Sequence, residues 1–183
     1  MKRDMVSYVH VCSSIVFIAF VSSCIRLSFA RSSIMNDALV EKLCAKSTDP
    51  SFCANALKSD PRSAIADITT FEQIAINLTK ANATDTWNFV NLNAGQNNDP
   101  KIKAAYQRCS PLYEDIIAAT DDATTSLEAL DYRDLDTEGE SIMDSADECD
   151  QLFTKPSQMS DRNRFARLLG EMIALIGDVL ISG

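Results

Sequence analysis

The residues of this chain that could do chemistry are carboxylates and cysteines. Glu114, Asp115, Asp121 and Asp122 fall within one stretch of helical periodicity. Paired carboxylates can divide general acid and base roles, but these carry no sequence cue to burial or to a shifted pKa. They read as a solvated face or as a docking surface for a basic partner. The run Asp134-x-Asp136-x-Glu138-Gly139 imitates the opening of a calcium loop. Such a loop needs a bidentate Glu at its twelfth position, where this chain has Ser145, so a solvated acidic linker is expected instead. His10 is the only histidine. It lies in the N-terminal leader described next, which leaves the rest of the chain without Ser-His or Cys-His catalysis and without the commonest metal ligand. With five glycines in 183 residues and no phosphate-cradling loop, an enzyme is a poor fit, although carboxylate chemistry stays open.

Compartment follows from the N-terminus. Lys2 and Arg3 precede a mostly apolar stretch from Met5 to Ile25, and Ser28-Phe29-Ala30 supplies a small-residue cleavage site. Ser13, Ser14, Ser22 and Ser23 interrupt the apolar stretch, which argues against a membrane span. Residues 1–30 are therefore expected to be a signal peptide, and residues 31–183 one mature domain. The leader carries Lys2, Arg3 and Arg26 against Asp4, a net charge of +2, so removing it takes the chain from −9 to −11. Nucleic acid is an unsuitable partner for such a chain. No later segment is apolar enough to cross a membrane. Cys44, Cys53, Cys109 and Cys149 remain after cleavage, at spacings of 9, 56 and 40. An even count in an exported chain indicates disulfides, and no C-x-x-C pair suggests metal. Three pairings are open.

The elements that must position these residues are helices. Ile65, Ile68, Phe71, Ala75, Leu78 and Ala81 recur at three- and four-residue steps from Ser63 to about Asn93. Asp99 and Pro100 then form an N-cap and first helical residue. The following helix carries Ile102, Ala105, Tyr106, Cys109, Leu112, Tyr113, Ile116 and Ile117, with Pro111 expected to kink or divide it. Past the acidic stretch 131–140 a third stripe runs Ile142, Ala146, Cys149, Phe153 to Pro156. Ser160 is expected to cap a last helix bearing Phe165, Leu168, Leu169, Met172, Leu175, Ile176, Val179 and Leu180. The fold class expected is all-α: an antiparallel four-helix bundle over 61–183, preceded by an α-hairpin over 31–60. Pairing neighbours in that layout gives Cys44–Cys53 within the hairpin and Cys109–Cys149 between two bundle helices. Loops of these lengths stabilise by roughly 2.5–3 and 4 kcal/mol in the chain-entropy model.

Asn77-Leu78-Thr79 and Asn82-Ala83-Thr84 are N-glycosylation sequons, both inside the first bundle helix. Sugar at both would exclude that face from partner binding. Tyr106 and Tyr113 fit the spacing of core anchors. Trp87 fits it too, but sits among polar residues and reads equally as partly exposed.

The stretch Leu39-Val40-Glu41-Lys42-Leu43-Cys44, then Thr48-Asp49-Pro50-Ser51-Phe52-Cys53, Ser59-Asp60-Pro61-Arg62, Cys109 with Tyr113, Ala129-Leu130-Asp131-Tyr132, and Ser145-Ala146 before Cys149 resembles the plant invertase and pectin methylesterase inhibitor family. The resemblance covers essentially all of 31–183. It implies the same fold and the same disulfide pairing. It also implies one-to-one binding of a cell-wall or vacuolar enzyme, with occlusion of its active-site cleft and no catalytic residues or cofactor.

Pectin methylesterase inhibitors of this family carry enzyme-facing acidic residues two, six and nine positions after the cysteine of the second bundle helix. Pro111, Asp115 and Ala118 occupy those positions, so Asp115 alone fits. Glu148 stands where Thr is favoured. The Pro-Lys-Phe tripeptide of invertase inhibitors is absent from Tyr132-Arg133-Asp134-Leu135-Asp136. The expectation is a secreted pectin methylesterase inhibitor of the apoplast, docking through Asp115, Glu148, Asp134 and Asp136. An acid invertase, with a vacuolar location, is the alternative target. A ligand-binding bundle would instead need an internal cavity, and a carboxylate-based hydrolase would need turnover of its own.

Overall fold

The computed structural model describes residues 36–182; the expected leader and its cleavage site lie outside them. Residues 36–44 are helical (α1) and precede α2, Pro50–Lys58. Asp49 caps α2, accepting from Phe52 N, with Pro50 at the first helical position. Cys44–Cys53 closes this hairpin, with Cα atoms 5.6 Å apart. The hairpin is also latched to the last helix. The Glu171 carboxylate accepts from Ser47 Oγ at 2.9 Å and from Thr48 N at 3.0 Å, and Arg164 pairs with Asp49 at 2.7 Å.

After a 3₁₀ turn at Pro61–Ile65, four long helices follow: α3 (Ile68–Gln96), α4 (Pro100–Glu128), α5 (Tyr132–Gln151) and α6 (Ser160–Ser182). Each packs on the next and α6 returns to α3, which closes an antiparallel ring around one core. Asp67 starts α3 by accepting from Thr70 N. Asp99 starts α4, accepting from Lys101 N and Ile102 N with Pro100 at the first position, as its sequence anticipates.

The structure corrects four local expectations. The first bundle helix begins at Ile68 rather than Ser63. Ile65 falls in the 3₁₀ turn and is 77% exposed, because Asp67 rather than Ser63 supplies the cap. Pro111 does not divide α4, which runs unbroken through it. Pro111 is exposed, while Tyr106 and Cys109 before it and Tyr113 and Ile116 after it are all buried, so tertiary packing holds both halves in one element. The stretch 132–140 is not a linker but the first half of α5. Its buried stripe is Leu135, Gly139, Ile142, Ala146 and Cys149, with a glycine standing where an apolar side chain would have shown the period. Phe165, assigned to the core face of α6, is 42% exposed.

That glycine has a steric cause. A Cβ on Gly139 would lie 2.7 Å from both the Ala174 nitrogen and the Gly170 oxygen. The α5 and α6 backbones therefore meet with nothing between them. The α4–α5 turn is equally tight. Asp131 N donates to Ser126 O at 2.8 Å and Leu130 N to Leu127 O at 3.2 Å, a Schellman closure that puts Leu130 at φ 59.

The core is filled by Phe71, Ile74, Tyr113, Ile116, Leu135, Ile142, Met172 and Ile173, all fully buried. One carboxyl is sealed among such groups. Glu72 is 0% exposed and neither oxygen has a hydrogen-bond partner among the described residues. Burial pushes its pKa well above the ordinary carboxylate value, so it is held as a neutral acid.

Two outcomes follow from this packing. Gly139→Ala is expected to cost about 2 kcal/mol through overpacking against backbone, which lowers the melting temperature by about 4–8 °C. Gly95→Ala, with nothing within 4 Å of the new Cβ, is expected to leave it unchanged or raise it. For Glu72, the native state keeps a proton that the unfolded chain releases above about pH 4.5. Its contribution is therefore fully present below that pH and declines as pH rises toward the folded pKa, by up to about 1.4 kcal/mol per pH unit. Urea titrations should show the stability advantage of Glu72→Gln over the wild type widening from pH 5 to pH 7. A constant gap would contradict a buried neutral acid.

Candidate docking face

The carboxylates of α4 divide between two sides of the helix. One side turns to α3: Trp87 Nε1 donates to Glu114 Oε1 at 3.0 Å, Lys80 pairs with Asp121, and Ser110 Oγ donates to Asn91 Oδ1 at 2.9 Å. Trp87 is thus half-buried with its polar edge engaged, which joins the two readings its sequence context allows.

Seven-residue steps place Arg108, Asp115 and Asp122 on the other side, facing the outer edge of α5. Arg108 shares a shallow groove with Asp144, Asp147, Glu148 and Gln151. At the far end, Glu138 has a raised pKa through partial burial and then through the neighbouring charges of Asp122 and Asp134. Exposed Asp115 lies between these points. Asp115, Asp122, Asp134, Glu138, Asp144 and Glu148 thereby form one acidic strip along the α4/α5 seam. From Arg108 to Asp122 it runs about 21 Å, at ~1.5 Å rise per residue. Among the described residues none of these six carboxylates is held in an ion pair.

The strip is held by a covalent staple. Cys109–Cys149 joins α4 to α5 with Cα atoms 4.9 Å apart and both residues fully buried. It sits beneath the Arg108–Glu148 end, while the Leu130 turn closes the other end.

Of the sequence-derived docking residues, the structure brings Asp115, Glu148 and Asp134 onto this strip and leaves Asp136 off it. Asp136 is about 200° around the helix from Asp134. Its backbone nitrogen lies 3.5 Å from where a Cβ on Gly177 of α6 would be. The calcium-loop resemblance fails for the same reason, since Asp134, Asp136 and Glu138 diverge around a helix rather than converging on a point. Among the described residues no group of three or more His, Cys, Asp or Glu could hold a metal ion. Sequence reasoning missed Arg108, Glu138 and Asp144. The heptad spacing of 108, 115 and 122 was the signal that could have found the first of them.

The two sequons do not share a face. Asn77 opens beside Thr124, Leu127 and Glu128 of α4, whereas Asn82 lines a groove with Phe52 of the hairpin and Phe165 and Leu169 of α6. A cleft of about 530 Å³ lies at the end of the bundle, lined by Asn93, Lys101, Tyr106 and Phe153 among others. It opens between the α3–α4 and α5–α6 connections, away from the filled bundle axis.

Residues 38–175 match the model of the plant invertase/pectin methylesterase inhibitor family. The chain belongs to that family. A pectinesterase inhibitor of Actinidia deliciosa is 32% identical over 146 residues, covering 78% of this chain and 79% of that protein. Cell wall / vacuolar inhibitor of fructosidase 2 of Arabidopsis thaliana is also 32% identical, over 126 residues, covering 65% of this chain and 66% of that protein. A crystal structure of a mutant pectin methylesterase inhibitor from Arabidopsis superposes with a TM-score of 0.68 at 24% identity, covering 76% of this chain and 95% of that one. That likeness shows the all-helical fold. The family is one of enzyme inhibitors, and this member is accordingly an inhibitor-type protein and no enzyme.

Proposed function

We propose that this chain is an exported inhibitor of a pectin methylesterase, which it binds one-to-one through the acidic α4/α5 strip so that the bundle covers the enzyme's active-site cleft. Residues 1–30 direct export and are removed, and the mature protein acts in the cell wall. The observation that carries the reading is the strip. It has six unpaired carboxylates on a rigid seam, with Asp115 at the position where the resemblance puts an enzyme-facing acid. A basic rim on the partner complements it and accelerates encounter. Asp136, about 200° around α5 from Asp134, lies off the strip and takes no part. No helix of the described residues is long and apolar enough to cross a membrane, in keeping with a secreted partner-binding protein.

An acid invertase of the cell wall or vacuole is the second reading. It is favoured by the fructosidase-inhibitor relative and by Pro111 and Ala118 at two of the three positions where methylesterase inhibitors of the family carry acids.

Side-by-side inhibition assays of the secreted, oxidised protein against a pectin methylesterase and an acid invertase at mildly acidic pH decide between the two. Inhibition of the methylesterase alone is expected. Inhibition of the invertase alone transfers the proposal to the second reading, and inhibition of neither overturns both. Within the strip, Asp115→Lys and Asp122→Lys are each expected to weaken inhibition about five- to tenfold, roughly 1–1.4 kcal/mol. Asp178→Lys, on the exposed side of α6, should stay within about twofold of the wild type, as rim charges outside an interface contribute little.

A further inference from the structure

The groove beside Asn82 is apolar, open and aromatic. Phe52 of the hairpin meets Phe165 of α6 edge-on, with ring centroids 5.2 Å apart, and Leu78 and Leu169 complete the walls. It has a volume of about 410 Å³, and Phe165 remains 42% exposed at its mouth. The hairpin owns too little core to stand alone, so this seam is part of what holds it to the bundle.

Asn82 itself lines the groove. Its Oδ1 is buried and accepts no hydrogen bond among the described residues, and the residue as a whole is half-buried at the groove's edge. Nδ2 is the atom to which an N-linked glycan is joined, and Asn82-Ala83-Thr84 is a complete acceptor sequence. Thr84 is exposed. A sugar on Asn82 starts at the groove's own wall, whereas one on Asn77 starts beside Thr124 and Glu128 with no aromatic ring lining its groove.

We propose that Asn82 carries an N-linked glycan whose first N-acetylglucosamine lies over the Phe52–Phe165 groove and seals the seam between hairpin and bundle. The C–H face of a pyranose is apolar and stacks on an aromatic ring, while its hydroxyls remain in water. The sugar therefore covers a surface that water covers poorly. This assignment does not depend on which enzyme the protein inhibits.

The test uses the full chain secreted from plant cells, with glycopeptide mapping by mass spectrometry. Mapping should find Asn82 occupied. Asn82→Gln and Thr84→Ala, which removes the acceptor sequence without touching Asn82, should each lose one glycan mass. Each should lower the melting temperature by about 2–4 °C, the shift of a ~1 kcal/mol contact in a domain of this size, and raise binding of an apolar fluorescent dye. Trimming the glycans to a single N-acetylglucosamine should preserve wild-type behaviour. The same variants made without glycosylation in bacteria should melt with the unglycosylated wild type, which separates loss of sugar from loss of side-chain packing. An unoccupied Asn82, or an occupied one whose removal changes neither melting nor dye binding, overturns the proposal.

Discussion

The register between α4 and α5 is the constraint on which the rest of this structure depends. Two features set it. Cys109–Cys149 fixes one end of the pair in a dry environment, where both cysteines have no exposed surface. The Schellman turn at Leu130 fixes the other, with no slack between Glu128 and Tyr132. A shift of one residue along either helix would turn its polar edge by about 100°, and Asp115 and Glu138 would no longer share a face. A surface ordered in advance loses less entropy on binding, so this rigidity suits the docking role proposed for the strip.

The other contacts support that pair from behind. Gly139 and Gly170 let α6 press against α5 as closely as two backbones allow, so α5 cannot roll without a clash. Tyr113 reaches across from α4 and donates to Asn163 of α6 at 2.9 Å, which ties the opposite corners of the ring through a buried bond. On the α3 side, Lys80, Trp87 and Asn91 occupy polar groups of α4 that would otherwise compete with the strip. Among the described residues, the six carboxylates of the α4/α5 strip are left without an ion pair. Like charges so placed repel one another, and the staple and glycine contact hold them together despite it.

Much of this was legible in the sequence because its cues were local. The cap at Asp99, the proline after it and the stripe of α4 each specify structure within a few residues. The pairing of the four cysteines follows once the helices are laid side by side. What could not be read was tertiary. Gly139 interrupts the apolar period of α5 because a neighbouring backbone occupies the space, and a glycine read alone suggests a loop. Pro111 stays within α4 because buried residues on both sides of it outweigh one lost hydrogen bond. Glu72 looks like any surface acid of a helix, and only the packed ring shows that it is sealed. Asp115, Asp134 and Glu148 can be singled out from the chain as docking candidates, and all three lie along the α4/α5 seam. Asp136 cannot be told apart from Asp134 in the sequence, because an acidic stretch that reads as a linker gives no helical phase; in α5 the two lie about 200° apart.

Carboxyl footprinting with a water-soluble carbodiimide, on the free protein and on its complex with pectin methylesterase, tests the central claim most directly. The account predicts that Asp115, Asp122, Asp134, Glu138, Asp144 and Glu148 lose reactivity in the complex, while Asp136 and Asp178 keep theirs. Protection confined to Asp136, Asp178 or the hairpin, with the α4/α5 strip still labelled, would contradict it.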